Sequence, residues 1–225
     1  MFWLILFLTL LLLLSLPGLW VQYVLRKHHA HRPDFPGTGE EMARHLLTKL
    51  EIEDVGVEAT PDGDHYDPQH KMVRLTQDKL EGKTLTSVVV AAHEVGHALQ
   101  HHRKETLFQS RTLLAYLAYW AQKTAPLALM VAPMLLSVAP AASRWALFAA
   151  VAAMLLGTLM HLLTLPVEWD ASFNKALPLL EEGGYFAEQD RVAARQILKA
   201  AALTYVAGSL ASLLNVWRWL RYLRR

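Results

Sequence analysis

The sequence predicts a mainly α-helical integral membrane protein with about four transmembrane helices and a small α+β part. Three observations support this prediction. More than half of the 225 residues are hydrophobic, at 53%. These residues are concentrated in four long blocks, which is typical of helices that cross a bilayer. One polar segment with both helical and strand-like patterns lies between the first two blocks.

The chain divides into five predicted segments. Residues 1–25 form an N-terminal transmembrane anchor, because MFWLILFLTLLLLLSLPGLWVQYVL contains no charged side chain and exceeds the ~20 residues that span a bilayer. Residues 26–111 form an α+β cap, and residues 112–165 form a transmembrane hairpin. Residues 166–200 form a second polar segment. Residues 201–225 form a C-terminal transmembrane or interfacial helix with a basic tail.

The distribution of positive charge predicts an orientation. Arg26, Lys27 and Arg32 follow the first block, and such residues mark the cytoplasmic side of a bacterial-type plasma membrane. A transmembrane hairpin would return residues 166–200 to that same side. We therefore expect the polar parts to face the cytoplasm. The side of the C-terminal tail stays open, because its four arginines oppose an outside position.

Composition excludes several classes of function. The chain has no cysteine, so disulfides, thiolate zinc ligands and a cysteine nucleophile are all absent. The formal net charge of +2 is too small to indicate a nucleic-acid-binding protein. We expect the lipid bilayer and a polypeptide to be the partners, whereas the oligomeric state is not determined by these features.

The cap combines a capped helix with short strands. A T-x-x-E pattern beginning at Thr38 is a capping box and predicts a helix start. VGVEA from Val55 predicts a strand, and TPDGDHYDPQH after it is turn-rich. A second strand is predicted at MVRL, which comprises Met72, Val73, Arg74 and Leu75. That strand is either an edge strand that binds an extended substrate peptide through backbone hydrogen bonds or an ordinary core strand.

The stretch VVVAAHEVGHALQHH, from Val88 to His102, contains an H-E-x-x-H pattern. On a helix, His93 and His97 lie one turn apart on the same face, as two ligands of one metal ion require. Glu94 is one step round the helix and reaches a metal-bound water without being a ligand. Neutral histidine favours zinc, which would lower the pKa of that water so that Glu94 accepts its proton. The alternative is a structural histidine pair.

A catalytic zinc ion needs three protein ligands and one open position. His101 is eight residues from His93, about 12 Å along a helix axis, so the two cannot join His97 on one ion. The third ligand must come from elsewhere, and the candidate is LPVEWDAS. Glu168 and Asp170 point about 200° apart on a helix, so only one faces the metal. We expect Glu168, with Asp170 as the alternative.

Three more residues are candidates for roles beside the metal. Ser172 lies one turn from Glu168 and offers a neutral hydrogen bond. His65 lies in the turn-rich segment, where it either is solvated or stabilises an oxyanion near the zinc. Tyr205 lies in a polar notch of the last block, where it either packs against a neighbouring helix or donates to the tetrahedral intermediate.

Four motifs, DHYDP, AAHEVGHALQH, LPVEWDAS and AAALTYVA, resemble the YugP-like membrane zinc metallopeptidases, a family of neutral zinc peptidases, along essentially the whole chain. The arrangement is also similar to HtpX-type proteases, whose glutamate ligand lies in E-x-x-A-D. Glu168 and Ala171 match that pattern, whereas Ser172 replaces the aspartate. The resemblance implies a zincin-like (gluzincin) catalytic part, one catalytic Zn²⁺ ion and a cytoplasm-facing endopeptidase. A role in quality control or processing of membrane-linked polypeptides is our hypothesis.

Two functions from other classes stay open. A non-catalytic membrane scaffold stabilised by zinc would hold the ion with four protein ligands, so that no water is bound. A metal carrier or sensor would bind several ions loosely and would depend on His28, His29 and His31.

Overall fold

The computed structural model describes residues 2–35, 37–136 and 138–223. The described elements follow one another as α1 (Phe2–Lys27), α2 (Gly39–Lys49), β1 (Gly56–Ala59), β2 (His65–Asp67), β3 (Met72–Leu75), α3 (Gln77–Leu80), α4 (Leu85–His102), α5 (Thr106–Leu135), α6 (Pro140–Trp169), a π-helical segment (Asp170–Ala176), α7 (Leu177–Glu182), a 3₁₀ turn (Glu188–Asp190) and α8 (Arg191–Leu223). Met1 of the predicted anchor and Arg224 and Arg225 of the predicted basic tail lie outside the described residues.

The predicted α-helical class with a small sheet is confirmed, whereas the prediction of about four transmembrane helices is wrong. Crossing a bilayer requires a helix with about 20 consecutive residues that are mostly apolar. Over residues 2–35, 37–136 and 138–223, no helix combines the necessary length with the necessary apolar character. The segment boundaries drawn from the sequence stay predictions, and α8 continues without interruption across residues 200 and 201.

Helix α2 begins as the sequence predicts. The Thr38 hydroxyl accepts a hydrogen bond from the Glu41 backbone N–H at 3.2 Å, and the Glu41 carboxylate accepts one from the Thr38 backbone N–H at 2.8 Å. This capping box satisfies two backbone donors that a helix start otherwise leaves unpaired. The inner face of α2 then packs against α4 through buried Met42, Ala43, Leu46 and Leu47.

The sheet has the strand order β1-β3-β2, with β1 parallel and β2 antiparallel to β3. Strand β3, Met72–Leu75, is therefore central and has a hydrogen-bonded neighbour on each side. Of the two alternatives for Met72, Val73, Arg74 and Leu75, the substrate-binding edge strand is wrong, because no unpaired edge remains there to bind a peptide, and the structure shows the ordinary core strand. Strand β2 was not predicted, because the turn residues that surround it obscure the pattern of a three-residue strand.

Helix α4 is the centre of the fold. Every residue from Leu85 to Gln100 is buried, and α4 contacts α2, α8, the sheet and the π-helical segment. Gly96 permits the close approach of the π-helical segment, because a Cβ atom there would lie 2.7 Å from the Ala171 carbonyl oxygen. A larger residue would therefore separate α4 from the segment that follows α6. This packing brings the H-E-x-x-H helix next to Glu168.

Candidate metal centre

Three buried donors converge where α4 meets the C-terminal end of α6. The Nε2 atoms of His93 and His97 lie 3.3 Å and 3.0 Å from Oε2 of Glu168. The ligand atoms of the three residues all lie within 4.8 Å of one another. Ligands about 2.0–2.1 Å from a tetrahedral zinc ion are roughly 3.3–3.5 Å apart. The spacing therefore fits a zinc site.

The tautomer of His93 follows from its partner Ser172. The Ser172 hydroxyl donates its one proton to the Leu198 carbonyl oxygen at 3.1 Å. Its oxygen also lies 2.9 Å from Nδ1 of His93, so it must accept a hydrogen bond from that nitrogen. A neutral His93 protonated at Nδ1 presents its Nε2 lone pair to Glu168. Ser172 thus supplies the orienting contact that metal-binding histidines require.

The tautomer of His97 is fixed by Gln100, which lies one turn further along α4. The Gln100 amide nitrogen donates to the Val167 carbonyl oxygen at 2.9 Å and to Oδ2 of Asp170 at 2.8 Å. With its nitrogen so engaged, the amide turns its oxygen towards Nδ1 of His97, 2.9 Å away. That oxygen can only accept, so His97 is protonated at Nδ1, and the neutral imidazole then presents the lone pair of Nε2.

Two imidazole lone pairs and one carboxylate oxygen therefore point at the same small volume. These groups repel one another unless a cation lies between them. A single proton could join only two of the three donors, whereas one divalent cation satisfies all three at once. Nitrogen and oxygen donors without sulfur suit zinc in a three-ligand site. The buried His-His-Glu group therefore fits a zinc site on the chemistry of its donors as well as on its spacing.

The Glu168 carboxylate is fully buried and ionised. Burial by itself would raise its pKa, but the neighbouring imidazoles of His97 and His93 and the charge of Arg111 together bring the pKa well below its usual range. The Arg111 guanidinium lies 3.2 Å from Oε1, the oxygen that faces away from the histidines. Oε1 makes no hydrogen bond to a described residue, so the ion pair stabilises it by charge alone.

Glu94 lies beside this group without a partner of its own. It is 5% exposed and makes no hydrogen bond or ion pair with any residue that the structure describes. Burial raises its pKa to about 7, an effect that the nearby His93 opposes and the negative charge of Glu168 reinforces. A carboxyl group with a pKa near neutral can both accept and release a proton under ordinary conditions, as general acid–base catalysis requires.

The group opens onto a cavity of about 760 Å³ that contains room for a ligand. Arg111 and Tyr205 line it beside the three donors, and the Arg111 guanidinium donates to the Tyr205 hydroxyl at 2.5 Å. His65 also lines the cavity, and its Nδ1 atom lies 2.8 Å from the Gly63 carbonyl oxygen. A cation, a phenol and an imidazole thus share the cavity with the predicted zinc ligands.

Other predicted site residues lie elsewhere. Asp170 is not among the converging donors; it holds Gln100 and forms an ion pair with the buried Lys175. The strand Met72–Leu75 does not contribute to the described wall of the cavity.

Sequence reasoning missed Gln100 and Arg111. Gln100 could have been found by its position three residues after His97 on the same helical face. Arg111 could have been found as a cation at the start of an otherwise apolar stretch, where a buried charge needs a partner.

Comparisons with known proteins agree with this chemistry. Residues 3–224 match a protein family described as "Putative neutral zinc metallopeptidase". The chain is also 34% identical, over 184 residues, to "Putative membrane protease YugP" of Bacillus subtilis (strain 168). That alignment covers 81% of this chain and 79% of the relative. No solved structure matches the chain, so the zincin-like fold that the sequence motifs imply stays a prediction.

Loss of either orienting contact should weaken zinc binding. We expect Ser172→Ala and Gln100→Ala each to lower the zinc affinity by about 10–100-fold, because His93 or His97 would lose the acceptor for its Nδ1 proton. Competition with a chromophoric chelator measures the affinity. Asn174→Ala is the control, since Asn174 is exposed and contacts Asp170 but neither histidine. Affinities equal to that of the control would contradict these roles.

Glu94 should also make the stability of the metal-free protein depend on pH. Its pKa is about 7 in the folded state against an ordinary 4.5, so its stabilising contribution is complete below pH 4.5 and is lost as the pH rises through 7. The Glu94→Gln protein has no ionisable group at this position, so it does not lose this stability as the pH rises. Above pH 7 the variant should therefore exceed the parent in unfolding free energy by about 3 kcal/mol.

Urea unfolding of chelator-treated protein across this pH range measures the difference. Glu53→Gln, which changes an exposed carboxylate, is the control. If the difference in unfolding free energy between the Glu94→Gln protein and the parent does not vary with pH, burial does not perturb the pKa of Glu94.

Proposed function

Because the chain belongs to the neutral zinc metallopeptidase family, we propose that it is a zinc-dependent endopeptidase. His93, His97 and Glu168 would hold one Zn²⁺ ion, and Glu94 would be the general base. The observation that supports this proposal best is the position of Glu94. A buried carboxyl group without a partner lies beside three converging zinc donors, in a cavity large enough for a peptide segment.

When bound, zinc supplies a water molecule of lowered pKa and polarises the substrate carbonyl. The residues of the chain would do the rest. Glu94 accepts a proton from the attacking water and then delivers it to the nitrogen of the leaving amine. Glu168 stays anionic beside Arg111, and Ser172 and Gln100 keep His93 and His97 in the ligand tautomer.

Negative charge that develops on the substrate carbonyl oxygen needs stabilisation. Arg111 supplies a buried positive charge on the cavity wall, and Tyr205 is held by its hydrogen bond from Arg111. His65 lines the same cavity and is a further candidate for this role. Preorganised donors of this kind stabilise a tetrahedral intermediate because they need no rearrangement during the reaction. Asp170 would act only indirectly, through Gln100 and His97.

The two rival functions have less support. A zinc-stabilised scaffold requires a fourth protein ligand, but the potential metal-binding group found among the described residues consists of His93, His97 and Glu168 only. A metal carrier that uses His28, His29 and His31 requires these residues to cluster. They form no such group in the part of the chain that the structure describes.

The test is a single substitution with a zinc measurement beside it. We expect Glu94→Gln to keep one equivalent of zinc and to lose about 10²–10⁴-fold in kcat/KM on a denatured protein substrate, since the base is removed and the ligands remain. Glu168→Ala should lose zinc, whereas Asp170→Asn should retain most of it. A Glu94→Gln protein with parental activity would remove Glu94 from the mechanism, and zinc binding that is indifferent to Glu168 would remove the third ligand.

We also propose that the protein associates with the lipid bilayer and acts on membrane-linked polypeptides. The relative in Bacillus subtilis is named a membrane protease. In addition, α1, α5 and α6 expose large apolar side chains, among them Leu13, Leu19, Tyr116, Trp145 and Phe148. Exposed apolar area of this extent is typical of an interaction surface. The position of the active site on the cytoplasmic side stays a prediction from the charge pattern.

Cell fractionation tests the membrane association. The expressed protein should sediment with the membranes and resist extraction by high salt, because apolar contacts are insensitive to ionic screening. A peripheral protein bound only by charge, released by the same salt wash, is the control. Recovery of the protein in the supernatant without detergent would contradict the proposal.

A further inference from the structure

We propose that the cavity at the metal centre includes an apolar subsite lined by α1 and α8, in which Gly18 and Gly208 set the size of the substrate side chain that fits. This inference rests on the proposed peptidase function, because the subsite would take a side chain next to the peptide bond held beside Glu94. It adds a substrate class, namely polypeptides with a large apolar residue at the cleavage position.

Both helices present one continuous face to the cavity. Four residues of α1 line it, at spacings of three, four and seven from the first: Gly18, Val21, Gln22 and Leu25. The residues of α8 that line it follow the same helical spacing: Ala201, Thr204, Tyr205, Ala207 and Gly208. Residues at these intervals share one side of a helix. The same cavity contains the unpartnered Glu94, so the two helix faces belong to the candidate active site.

Neither packing nor backbone conformation explains the two glycines. A glycine inside a helix costs about 1 kcal/mol relative to alanine. Gly96 has a reason, since a Cβ atom would lie 2.7 Å from the Ala171 carbonyl oxygen. A Cβ atom at Gly18 or Gly208 would meet no described atom within 4 Å, and neither residue has a left-handed φ. Their effect is to leave the cavity wide at these positions.

The chemistry of the two walls selects the occupant. Along α1 and α8 the lining residues are apolar or neutral, and none of those described carries a formal charge. A charged substrate side chain would lose its hydration there without gaining an ionic partner from either helix. An apolar side chain would gain about 25 cal/mol for each Å² removed from water. Leucine or phenylalanine beside the scissile bond therefore fits the subsite better than lysine or aspartate.

The experiment compares short peptides that differ in one central residue: Leu, Phe, Ala or Lys. The zinc-loaded full-length protein should have the highest kcat/KM for Leu and Phe. Gly18→Leu and Gly208→Leu should each lower kcat/KM for the Leu and Phe peptides by about 10–100-fold, because their side chains occupy the subsite. The kcat/KM for the Ala peptide should fall much less, because its side chain does not extend into the subsite. Zinc stoichiometry of each variant shows that the metal centre is intact.

Leu19→Trp is the matched control. It adds bulk on α1 next to Gly18, but Leu19 is 57% exposed and does not line the cavity. Its cleavage profile should equal that of the parent. Equal kcat/KM for the four peptides in the parent, or glycine variants with the parental profile, would overturn the subsite while leaving the peptidase function in place.

A binding measurement separates the subsite from the peptidase function. The same peptides, labelled with fluorescein, are titrated with zinc-loaded Glu94→Gln protein, with and without each glycine substitution, and fluorescence anisotropy reports the Kd. Tighter binding of the Leu and Phe peptides, lost in the glycine variants, supports the subsite even if no peptide is cleaved by the parent. In that case only the proposed hydrolysis fails. Equal affinity for all four peptides overturns the subsite whatever the activity.

Discussion

The convergence of two imidazole nitrogens and one carboxylate oxygen is the interaction on which the rest of the candidate site depends. His93, His97 and Glu168 bring three acceptor atoms together with separations of 3.0 and 3.3 Å between the histidines and the carboxylate. Ser172 and Gln100 hold an imidazole proton of each histidine on the far side, so the near side of the neutral imidazoles contains lone pairs only. Such an arrangement is unfavourable without a cation and favourable with one, which is why it fits zinc rather than a structural histidine pair.

The close approach of α4 to the π-helical segment makes that convergence geometrically possible. Gly96 lets the Ala171 backbone lie against the helix, and this contact places Glu168 and Ser172 next to the two histidines. A π-helical segment has a wider turn than an α-helix and is frequent at functional sites. Here the segment begins at Asp170, which contacts Gln100 and Lys175. Two residues later, Ser172 contacts His93.

The cavity joins two kinds of surface. Near the metal centre it contains charged and titratable groups, and burial there raises the pKa of Glu94 to about 7. Along α1 and α8 it is apolar or neutral. A peptide bound across both surfaces would place its reacting carbonyl where electrostatic effects are strong and its side chain where apolar burial is favourable. Catalysis and selectivity would then use different walls of one cavity.

The sequence alone determined the features that depend on local spacing: the helical class, the capping box at Thr38, the shared face of His93 and His97, and the family to which the motifs belong. Only the tertiary structure decided features that join distant residues. Glu168 is 71 residues from His97, and the partners of the imidazole protons depend on how α4, α6 and the π-helical segment pack. The sequence-based prediction of about four transmembrane helices was wrong, and so was the edge strand at Met72–Leu75. Strand order is a non-local property, because it depends on which strands pair across the turns, whereas helical periodicity is repeated every few residues along the chain.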